Sequence, residues 1–271
     1  MTVTIGCQIT PQHGDMKRMR DAWMEAEALG VDRIYSADHF HAQNFNLEDY
    51  AEGQMVLPEA GKNFEGAMIQ AAMAATTSRV EIGCLVHAIG YRNPNLLADM
   101  ARTIDHISNG RFILGVGAGY LKEDYEEYDY PYGTQKERSL DLVKSIPVIK
   151  SRFEKLNPPP LRKIPLLIAA MGEKIGMPLV AEHADIWHVF GTREKVIEKC
   201  QYLDHLCQKI GRNPDEIEKS AYCIPHLNPE DDPDVLYKEM GIKHLIGVAS
   251  GPDWDLGPLK ELLAWRKVLK E

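Results

Sequence analysis

The sequence predicts an α/β fold of the (β/α)8 type, a TIM barrel. Eight short apolar segments alternate with helical segments along 271 residues, and such a barrel needs about 250. Polar or glycine-bearing residues follow the strands, where a barrel carries its ligand site. An open doubly wound sheet is the alternative. It would need a glycine fingerprint after the first strand, where the chain has Thr10-Pro11-Gln12-His13.

The predicted strands are short and buried in character, and they cover residues 3–9, 33–37, 80–86, 112–116, 165–170, 185–189, 220–224 and 244–248. Apolar residues three and four apart predict the helices between them; Met16, Met19 and Trp23 mark the first, and Gly30 ends it. Residues 41–63 and 122–133, after strands two and four, exceed ordinary connections, so we predict two long functional loops. We expect residues 1–271 to form one domain.

Composition excludes several classes of protein. The chain is 44% hydrophobic and 26% charged, with a net charge of −9 and no basic cluster, which argues against a nucleic-acid partner. Its apolar runs are far shorter than the ~20 residues of a membrane span, and the N-terminus lacks the features of a signal peptide. Five scattered cysteines without a CxxC pair favour a reducing compartment. We therefore expect a cytoplasmic protein.

Two strand ends have the composition of ligand-binding turns. The glycines in residues 115–119 follow a G-x-G-x-G spacing, which is not the dinucleotide fingerprint. Their missing side chains would let a flat ligand approach the backbone, although a turn with positive φ is an equal alternative. Gly172-Glu173-Lys174 opens a predicted helix, so its backbone N–H groups could bind a phosphate. A simple strand–helix turn is the alternative there.

Histidines follow several predicted strands. Asp38 and His39 end the second strand, where an imidazole beside a carboxylate could exchange a proton with a ligand. A structural histidine is the competing interpretation. His87, His188 and His226 also fall at strand ends, a pattern that a metal-dependent barrel would use. The first strand lacks the H-x-H pattern of metallohydrolase barrels, and we therefore predict no metal site.

Three segments together resemble one known family: DRIYSADHF at 32–40, the stretch from ATTSRVEIG to GVGAGY at 75–120, and PLLIAAMGEKIGMPLVAEHADIW at 165–187. They resemble the bacterial luciferase-like superfamily of flavin- and deazaflavin-dependent oxidoreductases. The resemblance runs over about residues 1–210 in the right order and spacing, and the last quarter of the chain adds little to it.

The resemblance implies a flat isoalloxazine or deazaflavin ring over the carboxyl ends of the strands. It implies a non-proline cis peptide at the end of strand three, by position between Cys84 and Leu85, that supports the ring. His39 matches the histidine that acts on protons in the deazaflavin branch. The implied cofactor contacts are Asp38, His87, Gly117, Ala118 and Gly119 around the ring, and Gly172, Glu173, Ile175 and Gly176 around a phosphate.

The chain departs from the sugar-phosphate dehydrogenases of the deazaflavin branch at the positions that hold their substrate. The position of their catalytic glutamate is Tyr120, an aromatic position falls near Gln43, and an acidic position at the end of strand one is Gln12. The position of their substrate-phosphate lysine is Arg193, which keeps only the charge. These departures argue against a sugar phosphate as substrate.

The function that the resemblance implies is hydride transfer between coenzyme F420 and a small organic substrate, with His39 as the proton donor or acceptor. F420 is favoured because the Asp38-His39 pair and the Arg92-Asn93-Pro94 corner look more like that branch. An FMN-dependent monooxygenase, which would need a flavin reductase as partner, is one alternative. A flavin-binding protein without turnover is another, since Tyr120 replaces an acid–base residue. The family also suggests a homodimer.

Overall fold

A closed barrel of eight parallel strands forms the centre of the computed structural model, which describes residues 3–43, 58–59, 61–225 and 231–269. The barrel strands, in chain order, are β1 (Thr4–Ile9), β2 (Arg33–Ser36), β5 (Glu81–Cys84), β7 (Phe112–Gly117), β8 (Leu166–Ala169), β9 (Ile186–His188), β10 (Glu218–Tyr222) and β11 (His244–Ala249). Each pairs with its neighbours, and β1 closes the ring on β11 with Thr4 opposite His244. The predicted (β/α)8 barrel is confirmed.

Helices cover the outside of the barrel: α1 (Met16–Leu29), α2 (Gly66–Thr76), α3 (Pro94–Ile107), α4 (Lys122–Glu126), α5 (Gln135–Lys155), α6 (Gly176–His183), α7 (Arg193–Lys209) and α8 (Gly257–Leu269). Gly30 ends α1 with φ 97°, and Thr192 caps α7, both as predicted. A capping box between Thr134 and Glu137 starts α5. No helix in the described ranges is long and apolar enough to cross a membrane.

Short elements lie near the carboxyl ends of the strands. β3 (Ala42–Gln43) and β4 (Pro58–Glu59) form an antiparallel pair, and β6 (His87–Ala88) extends the sheet beside β7. The segment 122–133 was predicted to be a loop, but it begins with α4. The reason is that Asp124 and Tyr125 are fully buried, so the acidic segment packs against the barrel end. Most of the loop predicted at 41–63 lies outside the described residues.

An ion network holds the opposite end of the barrel, where the strands begin. Arg33 contacts Glu81 at 2.9 Å and Glu218 at 2.6 Å, and Arg162 reaches Glu81 at 2.7 Å. These residues join β2, β5 and β10 at their first positions. The network is far from the strand ends that carry ligands in such barrels, so its role is to stabilise the fold.

Two buried histidines make the free energy of unfolding depend on pH. Burial lowers the pKa of His188 to about 3, and burial also holds the pKa of His244 well below its ordinary value. His188 Nδ1 lies 3.2 Å from Ser220 Oγ. As the pH falls below about 6.5, the unfolded chain takes up a proton at each histidine before the folded chain does. Acid therefore destabilises the fold.

Replacing His188 by asparagine is expected to reduce this acid sensitivity. The asparagine keeps a polar atom near Ser220 and cannot become an imidazolium. Between about pH 6 and pH 4, the free energy of unfolding should fall more slowly in His188→Asn than in the parent. The two pH slopes should differ by about 1.4 kcal/mol per pH unit. Urea unfolding across this range measures the difference. His205→Asn, at an exposed position of α7, is the control; equal pH slopes in His188→Asn and the parent would contradict the prediction.

Candidate functional site

Asp38, at the end of the second barrel strand, is buried in an ion cluster. The Arg92 guanidinium donates to both of its carboxylate oxygens, at 2.7 and 2.8 Å, and also to Glu65. The Ala88 N–H donates to Asp38 at 3.2 Å, and His87 Nδ1 lies 3.3 Å away. Burial alone would raise the pKa of Asp38, but His87 and Arg92 lower it to about 2. Asp38 is therefore an ionised anchor for the segment after β5.

His87 continues this cluster inward. Its side chain is almost fully buried, and Nε2 lies 3.0 Å from Gln70 Oε1. Gln70 in turn donates to Ser36 Oγ at 2.9 Å. Both oxygens of Asp38 and one nitrogen of His87 thus have protein partners, so these two residues position the backbone around the site.

His39 points its ring to a different carboxylate, that of Asp124 on α4. Its Nδ1 lies 2.7 Å from Asp124 Oδ2, and His41 Nδ1 lies 2.8 Å from Oδ1. The backbone N–H groups of Phe40 and His41 each donate to Oδ1 at 3.0 Å, and the Tyr91 hydroxyl donates to Oδ2 at 2.9 Å. Five hydrogen bonds converge on one buried carboxylate. The hydrogen-bond partner of the His39 ring is therefore Asp124 and is not the neighbouring Asp38.

The charge of Asp124 determines how His39 is held. Burial by itself would raise the pKa of Asp124, but the hydrogen bonds from His39, His41 and Tyr91 outweigh it and lower that pKa. An ionised carboxylate accepts the Nδ1–H of His39, which leaves Nε2 as the reactive nitrogen. Within the described ranges the structure gives Nε2 no hydrogen-bond partner, and the side chain is 20% exposed. His39 is thus oriented to exchange a proton with a bound molecule.

The glycine loop at 117–120 is fixed through its carbonyl groups. Tyr125 donates to Ala118 O at 3.1 Å, Arg138 Nε to Gly119 O at 3.0 Å, and Tyr132 to Tyr120 O at 2.8 Å. Gly119 has φ +74°, and a Cβ there would lie 2.2 Å from the Tyr125 hydroxyl. A positive φ and a close approach therefore both require glycine at this position.

The N–H groups of the same loop differ from its carbonyl groups. Among the described residues, none of the N–H groups of Ala118, Gly119 and Tyr120 donates to a protein acceptor, while all three carbonyls are occupied. The loop can therefore offer donors to the edge of a flat ligand.

The end of the third barrel strand has the expected non-proline cis peptide, but the predicted position is wrong by one residue. The cis bond joins Leu85 and Val86, whereas Cys84–Leu85 was expected. The reason is that the backbone stays hydrogen-bonded to β2 as far as Leu85, whose N–H donates to Ser36 O at 2.9 Å. Leu85 O then accepts from Gln8 Nε2 at 3.1 Å, which ties the bond to the end of β1.

The start of α6 carries the residues predicted to hold a phosphate. Gly172 and Glu173 are exposed, Ile175 is half-buried and Gly176 is the first helical residue. A Cβ on Gly172 would meet no atom within 4 Å, so the space beside this turn is open. The Glu173 carboxylate pairs with Lys199 at 2.5 Å, so only its backbone N–H could serve an anion. The turn fits a phosphate at its N–H groups.

The three positions that depart from the related dehydrogenases lie together. Gln43 Nε2 donates to the Tyr120 hydroxyl at 3.0 Å, and the Gln43 N–H donates to Gln12 Oε1 at 2.7 Å. The Tyr120 ring is edge-on to His39, with ring centroids 5.2 Å apart. One side of the His39 site is therefore a neutral, hydrogen-bonded wall. The fourth such position, Arg193, instead pairs with Glu239.

The remaining strand-end residues contribute in other ways. Tyr222 donates to Gln8 Oε1 at 3.0 Å and lines a shallow cleft beside Phe190 and Arg193. His188 is buried inside the barrel, and His226 lies outside the described residues. In the ranges that the structure describes, no three histidine, cysteine or acidic side chains are grouped to bind a metal.

Asp124, Tyr91 and Arg138 belong to the candidate site by their hydrogen bonds, and the sequence did not single them out. Asp124 lies 85 residues after His39 among several other acidic residues, so composition alone could not separate it from its neighbours. The available signal was its place shortly after the glycine loop, in a tyrosine-rich segment. Arg138 carried no signal, because its contacts are to main-chain carbonyls.

A family model matches the chain over nearly its full length. The family model described as luciferase-like monooxygenase matches residues 1–261. F420-dependent glucose-6-phosphate dehydrogenase of Amycolatopsis mediterranei is 29% identical over 181 residues, covering 59% of this chain and 48% of that protein. Pyrimidine monooxygenase RutA of Yersinia enterocolitica is 31% identical over 147 residues, covering 48% of this chain and 40% of that protein.

A solved structure shares the fold. It is an F420-dependent secondary alcohol dehydrogenase in complex with an F420-acetone adduct, with a TM-score of 0.76 and 18% identity, covering 96% of this chain and 98% of the other. At this identity the likeness concerns the barrel itself. The family match, by contrast, covers all but the last ten of the 271 residues. The chain therefore belongs to the luciferase-like monooxygenase family.

Proposed function

We propose that the protein is an oxidoreductase that transfers a hydride between coenzyme F420 and a small organic substrate, with His39 exchanging the accompanying proton. The observation that carries the proposal is the buried Asp124 carboxylate, which holds His39 Nδ1 at 2.7 Å and leaves Nε2 without a partner in the described chain. This arrangement fixes the tautomer and direction of the imidazole. It suits a reaction in which one proton moves as the hydride moves.

The bound deazaflavin would supply the hydride chemistry, and the chain would supply position and proton exchange. The N–H groups of Ala118, Gly119 and Tyr120 donate to no protein acceptor in the described chain, so they can bind the polar edge of the ring. The Leu85–Val86 segment, tied to Gln8, would support one face of it. Gly172, Ile175 and Gly176 would hold the phosphate through backbone N–H groups.

FMN is the alternative cofactor, and it would make the protein a monooxygenase with a separate flavin reductase as partner. The relationship to pyrimidine monooxygenase RutA supports this alternative. The relationship to an F420-dependent glucose-6-phosphate dehydrogenase supports F420. The Asp124–His39 pair favours F420 here, since a deazaflavin transfers a hydride and a proton must then be taken up or released nearby.

Titration of the purified protein with F420 and with FMN tests the proposal. We expect F420 to bind more tightly, which its quenched fluorescence and shifted absorbance would report. Gly172→Asp should weaken F420 binding about fivefold or more, because a carboxylate placed near the phosphate costs about 1 kcal/mol or more even when solvent screens it. The open space at Gly172 allows either substitution without a clash.

Gly172→Asn is the matched control, with the same size and no charge, and it should bind F420 more tightly than Gly172→Asp. Tighter binding of FMN than of F420 would contradict the F420-dependent function and favour the monooxygenase alternative. Equal F420 affinities in the two Gly172 variants would contradict the placement of the phosphate at α6.

A further inference from the structure

The wall beside His39 is built from uncharged side chains. Gln12 Oε1 accepts the Gln43 N–H at 2.7 Å, and the Gln43 side chain donates to the Tyr120 hydroxyl at 3.0 Å. The Tyr120 carbonyl is fixed by Tyr132 at 2.8 Å, so the residue is held at both its backbone and its hydroxyl. The Tyr120 ring is therefore a rigid neighbour of the His39 imidazole.

The hydroxyl of Tyr120 has a proton to donate. It already accepts a hydrogen bond from Gln43 Nε2, and the acceptor that the described residues offer its own proton is Gln43 Oε1 at 3.4 Å. Such a distance is long for a hydroxyl donor, whose bonds cluster near 2.7–2.8 Å. Burial raises the pKa of Tyr120. The phenol is thus a neutral donor without a good acceptor.

The cations near this wall are already neutralised or enclosed. Arg92 pairs with Asp38 and Glu65. Arg138 donates to the main-chain carbonyls of the glycine loop and of Tyr132, and its guanidinium stacks 4.1 Å from the Tyr132 ring centroid. A carboxylate or phosphate beside Tyr120 would therefore lose its hydration without gaining a free arginine, which is costly. The charge that His39 gains when Nε2 is protonated is already balanced by the Asp124 carboxylate at 2.7 Å.

We propose that Tyr120 donates a hydrogen bond to the reacting oxygen of the substrate, and that the substrate carries an uncharged carbonyl or alcohol group at this position. The inference rests on the proposed F420-dependent function. In the reducing direction, the bound deazaflavin would supply the hydride that forms the new C–H bond at the carbonyl carbon, and it would be oxidised. The C=O π bond would become an O–H bond with the proton of His39 Nε2. Tyr120 keeps its proton throughout and orients the oxygen.

Equilibrium binding to the complex with oxidised F420 tests the role of Tyr120 without turnover, because a ketone cannot accept a hydride from the oxidised cofactor. The probes are methyl levulinate and levulinate, two methyl ketones that differ in charge, and F420 fluorescence is the readout. We expect methyl levulinate to bind at least about tenfold more tightly than levulinate. Tyr120→Phe should weaken binding of methyl levulinate about threefold to tenfold, the loss of one neutral hydrogen bond.

The control is Tyr128→Phe, at a half-exposed tyrosine, which should change neither affinity. Unchanged F420 affinity in Tyr120→Phe shows that the variant is folded. Three results would overturn the inference and leave the F420 proposal standing. They are levulinate that binds as tightly as its ester, a protein that binds neither ketone, and a Tyr120→Phe variant that binds the ester as tightly as the parent does. Failure of the parent protein to bind F420 would overturn both.

Discussion

Replacing His39 by alanine is expected to slow hydride transfer by about 10²- to 10⁴-fold, the usual contribution of a positioned acid or base. The affinity for F420 should stay unchanged, because the imidazole is held by Asp124 and the proposed cofactor contacts are other residues. Without Nε2, the proton of each turnover must come from water. The rate of F420 absorbance change under saturating substrate measures the loss, and a fluorescence titration measures the affinity.

Two further variants make this result specific. His205→Ala, at an exposed position of α7, should react as the parent does. Asp124→Asn should also slow the reaction while F420 still binds, since the amide can no longer enforce the Nδ1–H tautomer of His39. A parent-like rate in His39→Ala would show that another group handles the proton.

Replacing Arg92 by methionine should lower the free energy of unfolding by about 3–5 kcal/mol, because it leaves a buried charge without its partner. The Asp38 side chain is 1% exposed and receives both of its strongest hydrogen bonds from this guanidinium. Methionine preserves much of the volume of the arginine stem, so the loss would come from the charge. Urea unfolding at neutral pH measures it.

A double-mutant cycle separates the ion pair from packing. Arg92→Met combined with Asp38→Asn should be less destabilised than the sum of the two single variants, by about 0.5–3 kcal/mol. Arg20→Met is the matched control, because its side chain is 50% exposed on α1, and it should change stability by less than about 0.5 kcal/mol. A loss in Arg92→Met as small as that in Arg20→Met would contradict the structural role of the pair.

The sequence predicts the barrel well because strand burial and helix periodicity are local properties. The strand predicted at 112–116 corresponds to β7, and the helix predicted from Thr192 begins at Arg193. The family resemblance pointed to His39 as the proton-exchanging residue. Its carboxylate partner is 85 residues away in α4, a contact that no local pattern reveals. The neighbouring Asp38 instead contacts Arg92, 54 residues later.

Prediction from the sequence was wrong where the position of a feature depends on contacts between several strands or helices. The cis peptide is at Leu85–Val86, after the residue whose N–H donates to Ser36 O of β2, and that hydrogen bond depends on the register of two strands. The segment 122–133 looked like a polar loop because its acidic side chains dominate the composition. Its buried residues, Asp124 and Tyr125, make it part of the site.

The most direct test of the proposed function follows the hydride itself. The protein is mixed without oxygen with F420 that is reduced and carries deuterium at C5, in the presence of methyl levulinate, and the product is analysed by mass spectrometry. We predict one deuterium on the carbon that bore the ketone oxygen, and its near-complete loss in His39→Ala. Alcohol product without deuterium from F420 would contradict the proposed function, and so would oxygen from O2 in the product of a parallel aerobic reaction with reduced FMN.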